Sequence, residues 1–396
     1  MKKRVVITEV RVISAVGSTL EQISHSFRRG LFPAIRDHVI PVENFELKHF
    51  TGRNKDIKYL SRGNQFAAAC ALEAARTLPA EDRAGAGLFL GAGPNLDLTQ
   101  VSANALWLLN YLPNSAANFV TKTAGIHGES ATLGSACAAS LQAIGLAYEK
   151  VAAGGLRFAL AGGGDSRLSA GGLKSYRDCR ALFSRETAGD LDPNEHYAPF
   201  SSGRYGFIPG EGGACFLLES LESALERKVH IYAEIAGAGA SCDGFNMTAP
   251  QPEGAYAKIA VSKALAMAGL PPGGIDAVAA HGTGTELNDQ AEGRALGDIF
   301  GAAPYILSLK SWIGHLASAC GAVELALCLS VLRDKVLPPV RNLAGKKRMP
   351  GPPLNYVTSA VTSDIRHLLV ENFGFGGQNY ALVLEKWENN AGPDQH

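Results

Sequence analysis

Three residues have types and settings that could do chemistry. Cys137 lies in G-S-A-C-A-A-S, between a glycine-containing turn and a run of small residues with helical spacing. A thiol at a helix N-terminus meets the positive end of the dipole and unpaired backbone N–H groups, and both favour the nucleophilic thiolate. Those N–H groups can also hold a developing oxyanion, and the small neighbours leave room for a carbonyl. Free cysteine is more often a small buried hydrophobe, the reading adopted for Cys70, Cys215, Cys320 and Cys328 in their apolar surroundings. His281 follows an apolar run and precedes G-T-G-T, while His315 stands in K-S-W-I-G-H-L, five residues after Lys310. As neutral imidazoles, both could donate an N–H to one thioester oxygen. That would stabilise the enolate left when a malonyl thioester loses carbon dioxide. Lys310 would orient one imidazole and add positive charge. Either histidine alone would more readily be a hydrogen-bonded structural residue.

The elements that must position these groups can be read from the pattern. Short apolar runs at 5–7, 87–91, 157–161, 213–218, 277–280 and 381–384 predict buried strands, and 64–78, 138–153, 256–268 and 316–333 have helical spacing. Their alternation predicts an α/β layered fold. The 45 glycines fall in short clusters beside the apolar runs, as tight strand-to-helix turns require. The two halves echo each other. The strand at 87–91 and the strand at 277–280 both end in glycine-rich chain, and each is followed by a turn, Gly134–Cys137 or Trp312–His315, that leads into a small-residue helix. Phe158–Gly164 is echoed loosely by Phe373–Gly377. We read an internal duplication with units at 1–228 and 229–387, followed by a frayed polar tail at 388–396.

Composition narrows the function classes. The 396 residues are 46% hydrophobic, enough to bury a large core, and 37 Lys plus Arg balance 37 Asp plus Glu. That balance gives no overall attraction to nucleic acid or anionic membrane. The seven cysteines are odd in number, with no C-x-x-C and no histidine at metal-ligand spacing. No disulfide framework and no metal site is expected, and a reducing, cytoplasmic setting fits. Glu9 and Arg11 break the first apolar run, which reads as a strand and not as a signal peptide.

The strings G-S-A-C-A-A-S, A-A-H-G-T-G-T-E-L-N-D, S-L-K-S-W-I-G-H-L and E-N-F-G-F-G-G-Q-N occur in the order found in elongating β-ketoacyl-acyl-carrier-protein synthases. The resemblance runs from the first strand to about residue 386 and includes G-F-I-P-G-E-G-G and M-T-A-P. It implies a thiolase-like fold, a duplicated five-layer αβαβα core, normally dimeric. It implies that Cys137 takes an acyl chain from a carrier-protein thioester and that His281 and His315 promote decarboxylation of a malonyl thioester. Lys310 matches the family's pocket lysine. The backbone N–H groups of Cys137 and Phe375 match the oxyanion hole, and Phe375 matches the gate. Thr283 and Thr285 match threonines that contact the phosphopantetheine arm, a region to which Phe373 is also assigned. Asp289, Glu292 and Glu324 match supporting acids, although alone they would read as solvated helix-face carboxylates. No tightly bound cofactor is implied, because phosphopantetheine arrives on the carrier protein. A homodimer is expected, or a heterodimer with a chain-length-factor subunit.

The sequence also departs from that family. Gln378 stands where fatty-acid synthases usually carry Thr, the stretch between Gly93 and Phe119 is short, and A-P-F-S-S-G-R-Y-G-F lacks acidic residues. With L-N-D after H-G-T-G-T, these leave open a catalytic subunit of a specialised polyketide or polyene pathway. Other readings fit less well. A thiolase needs a second, late cysteine. An initiating synthase typically offers Asn at the position of His315, a non-catalytic partner subunit loses the nucleophile, and a cysteine hydrolase does not call for two histidines beside a lysine. Lys55, Lys58 and Arg62, and Lys346, Lys347 and Arg348, are candidate docking patches for an acidic carrier protein.

Overall fold

The computed structural model describes residues 2–97 and 106–388. Part of the short stretch after Gly93, and the expected tail beyond Glu388, lie outside the described residues. The strands are β1 (Val5–Ile13), β2 (Gly87–Gly91), β3 (Ser130–Leu133), β4 (Phe158–Ser166), β5 (Glu211–Ser220), β6 (Ala233–Cys242) and β7 (Ala277–Ala279). They continue as β8 (Tyr305–Leu307), β9 (Val336–Leu337), β10 (Asn355–Tyr356), β11 (Val361–Thr362), β12 (His367–Phe373) and β13 (Gln378–Lys386). The principal helices are α1 (Leu20–Arg29), α2 (Arg62–Ala75), α3 (Ser115–Ala124) and α4 (Ala139–Ala152). After them come α5 (Ala170–Asp178), α6 (Ala255–Ala268), α7 (Glu286–Phe300) and α8 (Cys320–Asp334).

Among the described residues, eleven strands form one sheet in the order β10-β8-β7-β12-β13-β6-β1-β5-β4-β2-β3. Its two halves repeat one plan outward from the antiparallel β1–β6 seam. On one side β5 pairs antiparallel with β1 and β4, and β2 and β3 follow in parallel. On the other side β13 pairs antiparallel with β6 and β12, and β7 and β8 follow in parallel. The thiolase-like duplication expected from the sequence is therefore present in the topology, with the two half-sheets joined edge to edge.

Helices α4 and α8 pack on each other between the inner faces of the halves. Outside the first half, α2 covers β4 and β5 and α3 packs on α2; outside the second, α6 covers β6 and β13 with α7 beside it. This gives five layers and explains the sequence pattern: β5 is buried along its whole length, as a strand covered on both faces must be. Strand β6 was not legible, because AEIAGAGASC carries little apolar contrast. The helix expected from residue 316 starts only at Cys320, because Ala317 takes a left-handed φ of 46° that interrupts it.

The layers touch closely where small residues meet. A Cβ on Gly91, at the end of β2, would lie 2.2 Å from the backbone nitrogen of Ser140 in α4. We therefore expect Gly91→Ala to lower stability by about 3 kcal/mol, because neither backbone can yield. Urea unfolding measures this, and an unchanged midpoint would refute that tight contact.

Candidate active site

Cys137 lies in a single 3₁₀ turn, Ala136–Ala138, from which α4 continues. Ala136 has φ 47°, a left-handed value that costs a non-glycine residue about 1 kcal/mol or more. The chain breaks sharply there and sets the thiol at the start of the helix. Gly374 closes on the turn from the end of β12: a Cβ there would lie 2.5 Å from the Ser135 carbonyl and 3.3 Å from the Cys137 nitrogen. The backbone N–H of Phe375 then reaches the Cys137 sulfur. The backbone of Phe375, one of the two residues expected to supply the oxyanion hole, is thereby brought beside Cys137.

His281 follows β7, and its loop is held from α7. Glu292 accepts the N–H of His281 at 2.5 Å, that of Gly282 at 2.8 Å and the amide of Asn288 at 3.1 Å. Asp289 accepts from the N–H of Gly284 and of Phe200. Neither acid is solvated: both are buried, as is Glu324, so the helix-face alternative is set aside. Thr283 and Thr285 bond to each other through their hydroxyls at 2.9 Å beside the same cavity.

His315 stacks on Phe207 with ring centroids 4.5 Å apart. Its Nδ1 accepts the Ala317 N–H at 3.0 Å, which leaves the ring proton on Nε2. The Asn372 amide nitrogen faces Nδ1 of His281 at 3.4 Å and favours the same tautomer. One sulfur or ring-nitrogen atom from each of Cys137, His281 and His315 lies within 4.8 Å of the others. Such a trio could grip a soft cation. Two imidazoles that present Nε2–H, next to the fixed positive charge of Lys310, suit hydrogen-bond donation better.

Lys310 is fully buried and bonds Glu324 at 2.6 Å. Sequence reasoning had it orient a histidine, whereas its bond goes to Glu324 and it acts on the histidines through its charge. Burial works against the ammonium, but Glu324 outweighs it and the pKa is raised. Burial, then Lys310, then His315 push His281 well below the usual imidazole range, and burial and Lys310 bring His315 to about 3. Both rings are neutral at physiological pH. The expected resting thiolate is corrected: burial raises Cys137 to about 11 against the opposing pull of Lys310 and the Phe375 N–H. The enclosed turn costs the thiolate more than the helix end returns.

Cys137, His281, His315, Thr283 and Thr285 line one cavity of about 360 Å³ together with Tyr176, Phe207, Phe373 and Phe375, while Lys310 and Glu324 lie behind that lining. A larger groove, about 1190 Å³, lies between the end of β1 and α1 and contains none of the candidate residues. Sequence reasoning missed Tyr176, which carries no motif signal on α5. It also missed Glu371 and Asn372, which lie inside E-N-F-G-F-G-G-Q-N and were legible there. Within the candidate docking patches, Arg62 pairs with buried Glu211, and Lys346 and Arg348 bond backbone carbonyls.

Comparison with known proteins gives a consistent picture. The family models "Beta-ketoacyl synthase, N-terminal domain" and "Beta-ketoacyl synthase, C-terminal domain" match residues 35–224 and 232–344. The chain is similar to 3-oxoacyl-[acyl-carrier-protein] synthase 2 of Synechocystis sp., with 31% identity across 98% of this chain and 99% of that protein. The synthase 2 of Mycobacterium bovis is 38% identical across 72% of this chain and 68% of its own length. Among solved structures, a beta-ketoacyl synthase from Burkholderia phymatum has a TM-score of 0.87 at 29% identity, covering 98% of this chain and all of that one. The ishigamide ketosynthase/chain length factor has a TM-score of 0.85 at 26% identity, with the same coverage.

The raised thiol pKa has a direct readout. Alkylation of Cys137 by iodoacetamide, followed by peptide mass, should quicken about tenfold per pH unit from neutrality to pH 10. A plateau near neutrality would mean that the thiolate is already formed.

Proposed function

The chain belongs to the beta-ketoacyl synthase family, and on that premise we propose that it elongates acyl chains by decarboxylative Claisen condensation with a malonyl thioester. The observation that carries this reading is the convergence of one thiol and two neutral imidazoles beside a buried lysine. The Cys137 sulfur attacks the acyl thioester, and the proton it loses leaves on the released pantetheine thiol. The oxyanion of that step is held by the N–H groups of Cys137 and Phe375.

A malonyl thioester then enters past Phe375, with its arm along Thr283, Thr285 and Phe373. Nε2–H of His281 and of His315 bind its thioester oxygen. Loss of carbon dioxide leaves an enolate on that oxygen, and its carbon attacks the acyl-cysteine. Collapse of the adduct expels the Cys137 thiolate, which takes up a proton, and a β-ketoacyl thioester departs. Neutral imidazoles suit this step. A charged one would bind the malonyl carboxylate and stabilise the ground state.

We take an acyl carrier protein as the partner that delivers both thioesters, and a dimer as the working unit. A terminal strand of the sheet, β3 or β10, is where a second subunit could extend it. Similarity to the ishigamide ketosynthase/chain length factor, together with Gln378, favours a second reading within the family: the catalytic subunit of a specialised polyketide or polyene pathway. Among the described residues no helix is long and apolar enough to cross a membrane.

Intact-mass measurement tests the reading. Wild-type protein mixed with acyl-carrier protein should gain the acyl mass, and Cys137→Ala should not. His315→Ala should still load, while decarboxylation of malonyl-carrier protein falls about a hundredfold or more. Failure of the wild type to load from carriers of any chain length would overturn the elongating reading.

A further inference from the structure

Behind the cavity lies a buried acid that the mechanism above does not use. Glu371 is on β12 beside the end of β7, where Val370 pairs with Ala279 two residues before His281. It is 1% exposed, as is Glu292 of α7; its Oε1 is buried with no N–H or O–H partner, and its carboxyl lies within hydrogen-bonding reach of Glu292. Two carboxyl groups so placed bond only when one carries a proton. Glu292 already accepts three N–H groups, two of them from the His281 loop. The proton therefore belongs to Glu371, whose O–H completes the set of donors around the Glu292 carboxylate.

We propose that Glu371 is a positioning residue that holds, through a carboxyl–carboxylate hydrogen bond to Glu292, the backbone of His281 in place for decarboxylation. This deepens the proposed condensing activity and rests on it. Burial, then the charge of Glu292, then their shared bond raise Glu371 well above the usual carboxylate range, and burial brings Glu292 to about 6. The pair accordingly keeps one proton at neutral pH.

The charged surroundings oppose a second negative charge in most directions. Asp289 lies one turn earlier on α7, with Arg204 at 4.0 Å from its carboxylate, and Tyr356 of β10 also faces Glu292. Lys310 favours ionisation from the turn after β8, but its nearest bond is to Glu324 of α8. His281, whose backbone N–H bonds Glu292, is neutral and adds no charge. As pH rises, loss of the shared proton would leave two adjacent buried carboxylates. Their repulsion would release the His281 loop, so decarboxylation should fall on the alkaline side.

The experiment compares wild type, Glu371→Gln and Glu371→Leu as full-length protein. Malonyl-carrier-protein decarboxylation is followed from pH 6 to 10 alongside acyl loading of Cys137. Leu should lower decarboxylation about tenfold or more across the range, as loss of positioning does, while loading persists. Gln, whose amide donates to Glu292 without titrating, should rescue most of that loss and shift the alkaline decline upward. Superimposable alkaline limbs for wild type and Gln would overturn the proposal.

Infrared difference spectra give an independent reading if Leu fails to fold. Wild type at neutral pH should show a protonated-carboxyl band that Glu371→Gln lacks, and its absence from wild type would also overturn the proposal. If wild type never loads an acyl group, the condensing reading fails, whereas the infrared band still decides the shared proton.

Discussion

The buried ion pair between Lys310 and Glu324 is the constraint on which the site depends. Both groups have no solvent exposure and lie 2.6 Å apart. Removing either partner of such a pair typically costs about 3–5 kcal/mol, because the other charge is left unpaired in low dielectric. The pair ties the turn after β8 to the first turns of α8, and Asn372 bridges from Glu324 to His281. Burial keeps both imidazoles neutral, and the one ammonium adds to that effect without bonding either. That is what a reaction beginning with the departure of a carboxylate requires.

Much of the fold was legible because the core strands are covered on both faces, so their sequences are continuous apolar runs. The strands at 87–91 and 277–280 and the helix at 138–153 were legible to within a residue or two. What escaped has physical reasons. Strand β6 is mostly Ala and Gly because α6 lies almost on its backbone, so packing removed the contrast that pattern reading needs. Strand β12 carries a Glu and an Asn in its buried stretch, polar residues that argue against a core strand until their partners are known.

The candidate site was legible as residue types but not as electrostatics. Cys137, His281, His315 and Lys310 could be picked out by motif. That the thiol is held protonated follows only from its enclosure, which no local sequence encodes. A helix end and a lysine both favour the thiolate, and burial outweighs them. The cavity must be dry for an enolate to survive, and the same dryness opposes a resting thiolate. Phe375, 37% exposed, lines this cavity.

The duplication reaches the nucleophile turn itself. Ala317, the first residue of the 3₁₀ turn that leads into α8, has φ 46°, against 47° for Ala136, the first residue of the turn that holds Cys137. Ser318 is thus the counterpart of Cys137. Its N–H and hydroxyl are both taken by Asp165, at 3.1 and 2.6 Å. The strained kink is therefore a property of how a helix must start against each half-sheet, and the reaction makes use of a bend that the architecture already imposes. Asp165 occupies in one copy the place that a substrate oxyanion would take in the other. A chain with two equivalent corners consequently has one workshop and one cornerstone.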